Sequence, residues 1–562
     1  MSTTATAGTL PAARGITPAL GRLWASLDAA PVARRVPGTV PAALFAMVVM
    51  AVVAVVVVPT GANLWYTDAL SHLTVARRIL DSNHPGFQQL GTVWLPVPHL
   101  LLLLFVWNLT LWSTGWAGAL LGILCLGVTS AAVYRISARL GFRRIARLVA
   151  VCGVTLNANI LYLHTTALTE PVLIACMMAA VAGLTHGATA TRPLSGGEMA
   201  VFAGLPAAGA VLSRYEGWVL VASMALFMVI VDYPRAHGSR WARLRRVVLL
   251  RVLPTVGPPL LALAWWLAYN FAMFGNPLDF MLGPYSAHAQ QQVVVQQGIL
   301  TTQGNLGVSM HVMNWAVVDL VGVPLVVLGV LGLLAAILVD GLGPVPLVLG
   351  VLFGTYVFEV ASLYFGQTVM LTQHSLPTGF FNVRYGISPL PFFAVGSAAL
   401  LSYLRRLPRM SRLADLAGIA LLATIVGQAV WIANAPVQRS PVVQEGFHLN
   451  DGRANAAAAF LRTHWHGGGI LLDDSVASNG IIPLVGVPVH HYILRASGQP
   501  FEDALAHPTL HARWILVSTS TGRNTLDTPD AVFKDMELNP QLFSGYSRVW
   551  SDDTHAIYEL IA

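Results

Sequence analysis

Charge is what this sequence has least of. Only 10% of its 562 residues are Asp, Glu, Lys or Arg, against about 25% in an ordinary soluble protein. With 55% of the chain hydrophobic, a string of water-soluble domains is excluded, and so are disordered and collagen-like chains. Cysteine is scarce: Cys125, Cys152 and Cys176 each sit inside an apolar run, which argues against a disulfide framework and a thiolate metal site. Lysine is nearly missing. Lys534 is the single one, so the net charge of +7 rests on arginine. Those arginines fall in short clusters between apolar runs and not along one solvated face, so no nucleic-acid partner is expected. What remains is a protein whose partner is the lipid bilayer.

What is present is a series of apolar runs near the ~20 residues needed to cross ~30 Å of hydrocarbon. They predict about 11 transmembrane helices, beginning near Pro41, Ala117, Ala146, Pro171, Met199, Glu216, Arg251, Met313, Pro344, Gly386 and Leu416. Four arginine clusters test the count: Arg14 to Arg35, Arg135 to Arg147, Arg235 to Arg246, and Arg405 to Arg412. Eleven spans put all four on one side, which the positive-inside rule makes the cytoplasm. The Trp-rich run Pro98 to Trp112 is then read as a helix lying at the outer interface and not as a span. The predicted fold is a polytopic α-helical membrane protein with a small C-terminal α/β extracytoplasmic domain. Residues 1–40 form a cytoplasmic N-terminal tail, 41–436 a transmembrane domain with a long first outer loop at 60–116, and 437–562 the extracytoplasmic domain. Within the last, strands are expected at 469–474, 513–519 and 555–561, after a helix over Ala454–His464. The localisation that follows is a multi-pass cell-membrane protein, N-terminus inside and C-terminus outside.

On this topology the outer loops collect Asp68, His72, Glu170, Arg214, Glu216, His288 and Arg384. Acids beside arginines suit an anionic lipid substrate, because guanidinium matches phosphate oxygens with a planar fork and a carboxylate serves as a general base. Plainer readings stand beside this one. Asp68 also fits the N-cap of a helix over Ala69–Asp81. Glu170, before Pro171, suits the first turn of a helix and its dipole. Arg214 and Glu216 also fit a simple ion pair. Glu359, inside the ninth span, is an intramembrane acid of the kind that marks function. His464, His466, His490 and His491 form no clear metal-ligand spacing.

The segments WYTDALSHLTVARRI, ALTEP, FGNPL and NVRYG, in that order and on one side, resemble the GT-C superfamily. The nearest branch is the dolichyl-phosphate-mannose protein mannosyltransferase-like group, glycosyltransferase family 39, and the resemblance covers residues 41–433. It implies a membrane glycosyltransferase that takes a sugar from a polyprenyl-phosphate carrier. It implies that Asp68 is the catalytic base, that Glu170 is a second catalytic acid organising the acceptor or, in some relatives, a divalent metal, and that Arg384 contacts the lipid phosphate. His72, Arg214, Glu216 and His288 complete the expected substrate-binding set. No cofactor is expected; Mg²⁺ or Mn²⁺ held by scattered carboxylates is the alternative. The family often has Glu directly after the first-loop Asp, where this chain has Ala69, which sets it apart from the protein O-mannosyltransferases proper.

The chemistry agrees with the resemblance. Nucleotide sugars are cytosolic, so a transferase facing outward needs a lipid-linked donor. Single displacement at the anomeric carbon would invert its configuration, with Asp68 taking the acceptor proton. The acceptor, whether glycan, lipid or protein, is left open, as is the sugar, hexose or pentose. The rival class is a transporter or lipid flippase of the cell envelope. Transporters hold polar groups at mid-membrane on broken helices, and Glu359 is the residue that favours one. The discriminating observation is whether Asp68, Glu170 and Arg384 converge on one cavity.

Overall fold

The computed structural model describes residues 21, 24–283, 286, 301–450, 452–474, 480–519 and 530–561. Among them, eight helices are long and apolar enough to cross a membrane: Thr39–Thr60, Trp116–Arg139, Glu170–Thr189, Arg240–Phe274, Val323–Asp340, Pro344–Tyr364, Val383–Arg406 and Ser411–Ala433. The chain is a multi-pass membrane protein.

The expected eleven spans differ from this set in instructive ways. The segments near Ala146, Met199 and Glu216 are the helices Arg144–Thr155, Gly196–Val211 and Glu216–Asp232, the last of 17 residues. The single span expected from Met313 is two helices, Leu306–Val321 and Val323–Asp340. Gly322, at φ 91°, ends the first, and Pro324 sits in the opening turn of the second. Gly is the residue that accepts this backbone without strain, and apolar residues on both sides hide the break from a hydropathy reading. The Trp-rich run forms two short helices, Val97–Val106 and Leu109–Ser113, neither long enough to cross.

Burial separates an axis from a rim. The apolar windows of Val383–Arg406 and Glu170–Thr189 are 89% and 83% buried, whereas those of Thr39–Thr60, Val323–Asp340 and Ser411–Ala433 are each 22% buried. The axial helices are packed on all sides, and the rim helices keep most of their apolar surface for lipid. Small residues let the axis close up. A Cβ on Gly122 would stand 1.8 Å from the His164 carbonyl oxygen, and one on Gly118 2.6 Å from the Ala167 amide nitrogen. The backbone leading to Glu170 is thus pressed against the Trp116–Arg139 helix.

Arginines gather at the other end of the Glu170–Thr189 helix. Arg235 donates to the Ala188 carbonyl at 2.9 Å, Arg139 to that of Ala33 at 2.7 Å, and Arg143 pairs with Asp28 at 3.0 Å. Twenty residues of helix at 1.5 Å rise separate them from Glu170 by about 30 Å.

After the last apolar helix the chain forms Pro441–Leu449 and Gly452–His464, then a five-stranded sheet in the order β2-β1-β3-β5-β4. The strands are β1 (Ile470–Leu472), β2 (Tyr492–Leu494), β3 (Trp514–Ser518), β4 (Tyr546–Ser551) and β5 (His555–Leu560). β1 runs parallel to β2 and β3, and β5 antiparallel to β3 and β4. The three expected strands coincide with β1, β3 and β5. β2 has three residues and β4 reads YSRVWS, so neither carries a clear period-two signal. Lys534 stands exposed on the helix Ala531–Leu538.

Candidate functional site

Distant stretches of chain meet at one cavity of about 390 Å³. The helix Thr67–Arg78 brings Asp68 in its first turn. Tyr66 occupies the N-cap position and makes no side-chain cap. Asp68 is therefore not the N-cap of a helix over Ala69–Asp81; its carboxylate receives Arg384 instead. Glu170 opens its helix beside Pro171, as expected, and is buried. Arg384 lies in the 3₁₀ turn Val383–Ile387, entered through Asn382 at φ 52°.

Arg384 gives each of its three nitrogens to a carboxylate. Nη2 binds Asp68, Nε donates to Glu170 Oε1 at 3.1 Å, and Nη1 to Glu445 Oε1 at 3.3 Å. The guanidinium also lies 5.1 Å from the ring centres of both Tyr66 and Tyr385, a cation–π arrangement. Arg214 shares the same acid: Nη1 donates to Glu170 Oε1 at 3.0 Å and to Thr169 Oγ1 at 3.1 Å, while Nε donates to Glu216 at 2.7 Å. One oxygen of Glu170 thus joins both arginines. Access differs sharply among the acids on Arg384. The Asp68 side chain is 42% exposed, against 1% for Glu170 and 0% for Glu445. Asp68 is the carboxylate of this set that an incoming molecule meets.

The cavity wall is mostly apolar. Asp68, His72, Arg214, Glu216, Glu359 and Arg384 supply its ionisable lining, and Trp94, Trp218, Phe280, Phe358 and Phe365 are among the apolar lining. His72 is buried, its Nδ1 2.9 Å from His99 Nε2 and its ring 4.5 Å from that of Trp94. Burial, reinforced by the charges of Arg384 and Arg214, pushes the His72 pKa down to about 3, so the imidazole is neutral. Burial pulls the Arg214 pKa down, but Glu170 and Glu216 outweigh it and the net shift is upward. Burial pushes the Glu445 carboxyl up against the pull of Arg384.

Of the residues expected from sequence, Asp68, His72, Arg214, Glu216 and Arg384 line this cavity, and Glu170 lies directly beneath it on both arginines. His288 lies outside the described residues. Glu359 stands in the wall of the same cavity and not at a separate mid-membrane site. Sequence reasoning missed Glu445, His99, Tyr66 and Tyr385. The two tyrosines adjoin flagged charges in WYTD and NVRYG, and that adjacency was a usable signal. Glu445 sits in an ordinary polar stretch and gave none. Among the described residues no group of three His, Cys, Asp or Glu is arranged to hold a metal ion.

Residues 108–292 match the family model described as dolichyl-phosphate-mannose-protein mannosyltransferase, PMT. This stretch contains Glu170, Arg214 and Glu216. No curated protein matches the chain by sequence. Among solved structures, ArnT from Cupriavidus metallidurans bound to undecaprenyl phosphate superposes with a TM-score of 0.51 at 14% identity, over 92% of this chain and 98% of that one. ArnT in the apo state gives a TM-score of 0.48 at 15% identity, over 97% of each chain. The arabinofuranosyltransferase AftD from Mycobacteria gives 0.37 at 16% identity, over 91% of this chain and 40% of that one. The chain shares the fold of the ArnT structure with undecaprenyl phosphate.

Proposed function

We propose that this membrane protein transfers a sugar from a polyprenyl-phosphate carrier to an acceptor hydroxyl on the extracytoplasmic side. The observation that carries the reading is the convergence of Asp68, Glu170, Arg214 and Arg384, drawn from four separate segments, on one cavity with an apolar wall. A lipid-linked sugar phosphate has the matching halves: an anionic, hydroxyl-rich head and a hydrocarbon tail. The PMT match and the ArnT fold support the same chemistry, and ArnT itself is known with undecaprenyl phosphate bound. The outward placement rests on the arginines gathered at the opposite end of the bundle, where the positive-inside rule puts the cytoplasm.

In this mechanism the acceptor oxygen attacks the anomeric carbon, and Asp68 takes its proton. The bond from that carbon to the phosphate oxygen breaks, and its electron pair leaves on the polyprenyl phosphate. The configuration inverts in this single step. Arg384, for which the resemblance implied the phosphate contact, is instead engaged by three carboxylates and holds Asp68 in place. Arg214, on the cavity wall, meets the phosphate and stabilises its growing charge. Glu170 fixes the spacing of the two arginines. Glu359, which alone favoured a transporter, here belongs to the transferase cavity.

The test is transfer of radiolabel from a panel of polyprenyl-phosphate sugars by the purified chain in lipid. Transfer from at least one hexosyl or pentosyl donor, with release of polyprenyl phosphate, is the expected result. Movement of the lipid across the bilayer with no glycosidic bond formed would replace this reading with the transporter.

A further inference from the structure

The helix that carries Asp68 is short, twelve residues over Thr67–Arg78. Isolated helices of that length are marginal, so its position depends on what holds it. Much of that support is chain that follows the last apolar helix. Just before it, Tyr66 donates its hydroxyl to the Val442 carbonyl at 2.8 Å. Gly446 packs so close that a Cβ there would stand 2.9 Å from the Tyr66 ring. At the far end, Arg78 donates to Asp474 at 3.2 Å. Beyond it, Asp81 accepts the Val489 amide at 3.2 Å and meets His490 Nδ1 at 2.5 Å, and Asn83 donates to the Tyr492 carbonyl at 3.1 Å. These last anchors sit at β1 and β2 of the sheet.

Glu445 is the link between this support and the cavity. It is fully buried and does not line the cavity. It accepts the Asn382 amide at 2.6 Å and holds Arg384 Nη1 at 3.3 Å, and the same guanidinium holds Asp68. The chain from Glu445 to Asp68 is thus two charge-assisted contacts through one planar group, a geometry that fixes direction as well as distance.

We propose that Glu445 is a positioning residue for Asp68, acting through Arg384, and that the C-terminal unit braces the Asp68 helix over the cavity. The proposal rests on the transferase reading for its activity readout.

The experiment uses the full chain in lipid nanodiscs and compares wild type with Glu445→Gln, Glu445→Asp and Asp474→Asn. Glu445→Gln keeps the shape and the Asn382 contact but removes the negative charge that faces Arg384. Asp474→Asn loosens the opposite end of the helix. Backbone hydrogen exchange over residues 67–81 is expected to speed up by about tenfold in Glu445→Gln and Asp474→Asn, since each weakens a charged contact. Exchange in Glu170–Thr189 and the melting temperature should hold. With a competent donor, kcat should fall by about 10²-fold at unchanged donor KM, the scale of a small misplacement of a catalytic group, and Glu445→Asp should recover part of it. Unchanged exchange over 67–81 would overturn the brace, whatever the activity. A fall in kcat that tracks lost melting temperature would make Glu445 merely structural and overturn its positioning role. Should the wild type transfer from no donor, the transferase reading falls, while the exchange measurement still decides the brace.

Discussion

At the scale of single residues, Asp68 and His72 give the clearest expectations. The Asp68 side chain is 42% exposed, and Arg384 keeps Glu170 and Glu445 as charged partners when Asp68 loses its charge. Asp68→Asn should therefore leave expression and melting nearly unchanged. If Asp68 is the base, the same change lowers kcat by at least about 10²; a fully active variant would remove the assignment. His72 carries a pH dependence. Its folded pKa, about 3, lies below its ordinary value of 6.5, so between those limits the unfolded chain binds a proton that the folded chain refuses. Stability is then complete above pH 6.5 and is lost as pH falls, by about 1.4 kcal/mol per unit, or about 2 kcal/mol by pH 5. Melting in detergent from pH 7 to 5 should fall more steeply for wild type than for His72→Gln; parallel curves would show that His72 does not titrate as its burial implies.

At the scale of elements, the close approach at Gly122 decides where Glu170 stands. A methyl group there would meet the His164 carbonyl at 1.8 Å, well inside contact distance, and backbone cannot swing aside as a side chain would. Gly122→Ala should destabilise by about 1–3 kcal/mol, read as a lowered melting temperature, and should reduce transfer by shifting the Glu170 turn. Wild-type melting and activity would show that the helix slides freely. Elements also show where the sequence was readable. The long apolar helices declare themselves through uninterrupted hydropathy, and Asp68, Glu170 and Arg384 through charge beside such runs. The break at Gly322 stayed hidden because hydropathy does not fall across it. β2 stayed hidden because three residues carry no period, and the His72–His99 pair because it closes only when the helices Thr67–Arg78 and Val97–Val106 pack together.

At the scale of the whole molecule, the carboxylates that surround Arg384 come from the chain after the first apolar helix, the start of the third apolar helix and the chain beyond the last one. No local window of sequence contains that set, which is why Glu445 was invisible to reading while its partners were not. The site is complete only when these three segments have packed together. One compositional oddity of the whole chain has a practical consequence. Its single lysine stands exposed on the C-terminal unit, so apart from the amino terminus the chain has one address for acylating reagents. An amine reagent that cannot pass a bilayer, applied to intact cells, would leave its adduct on Lys534 if that unit faces outward, and would do so only after lysis if it faces the cytosol. The same adduct, lying outside the cavity, offers a fixed point for a fluorophore against which movements of the Asp68 helix are measured.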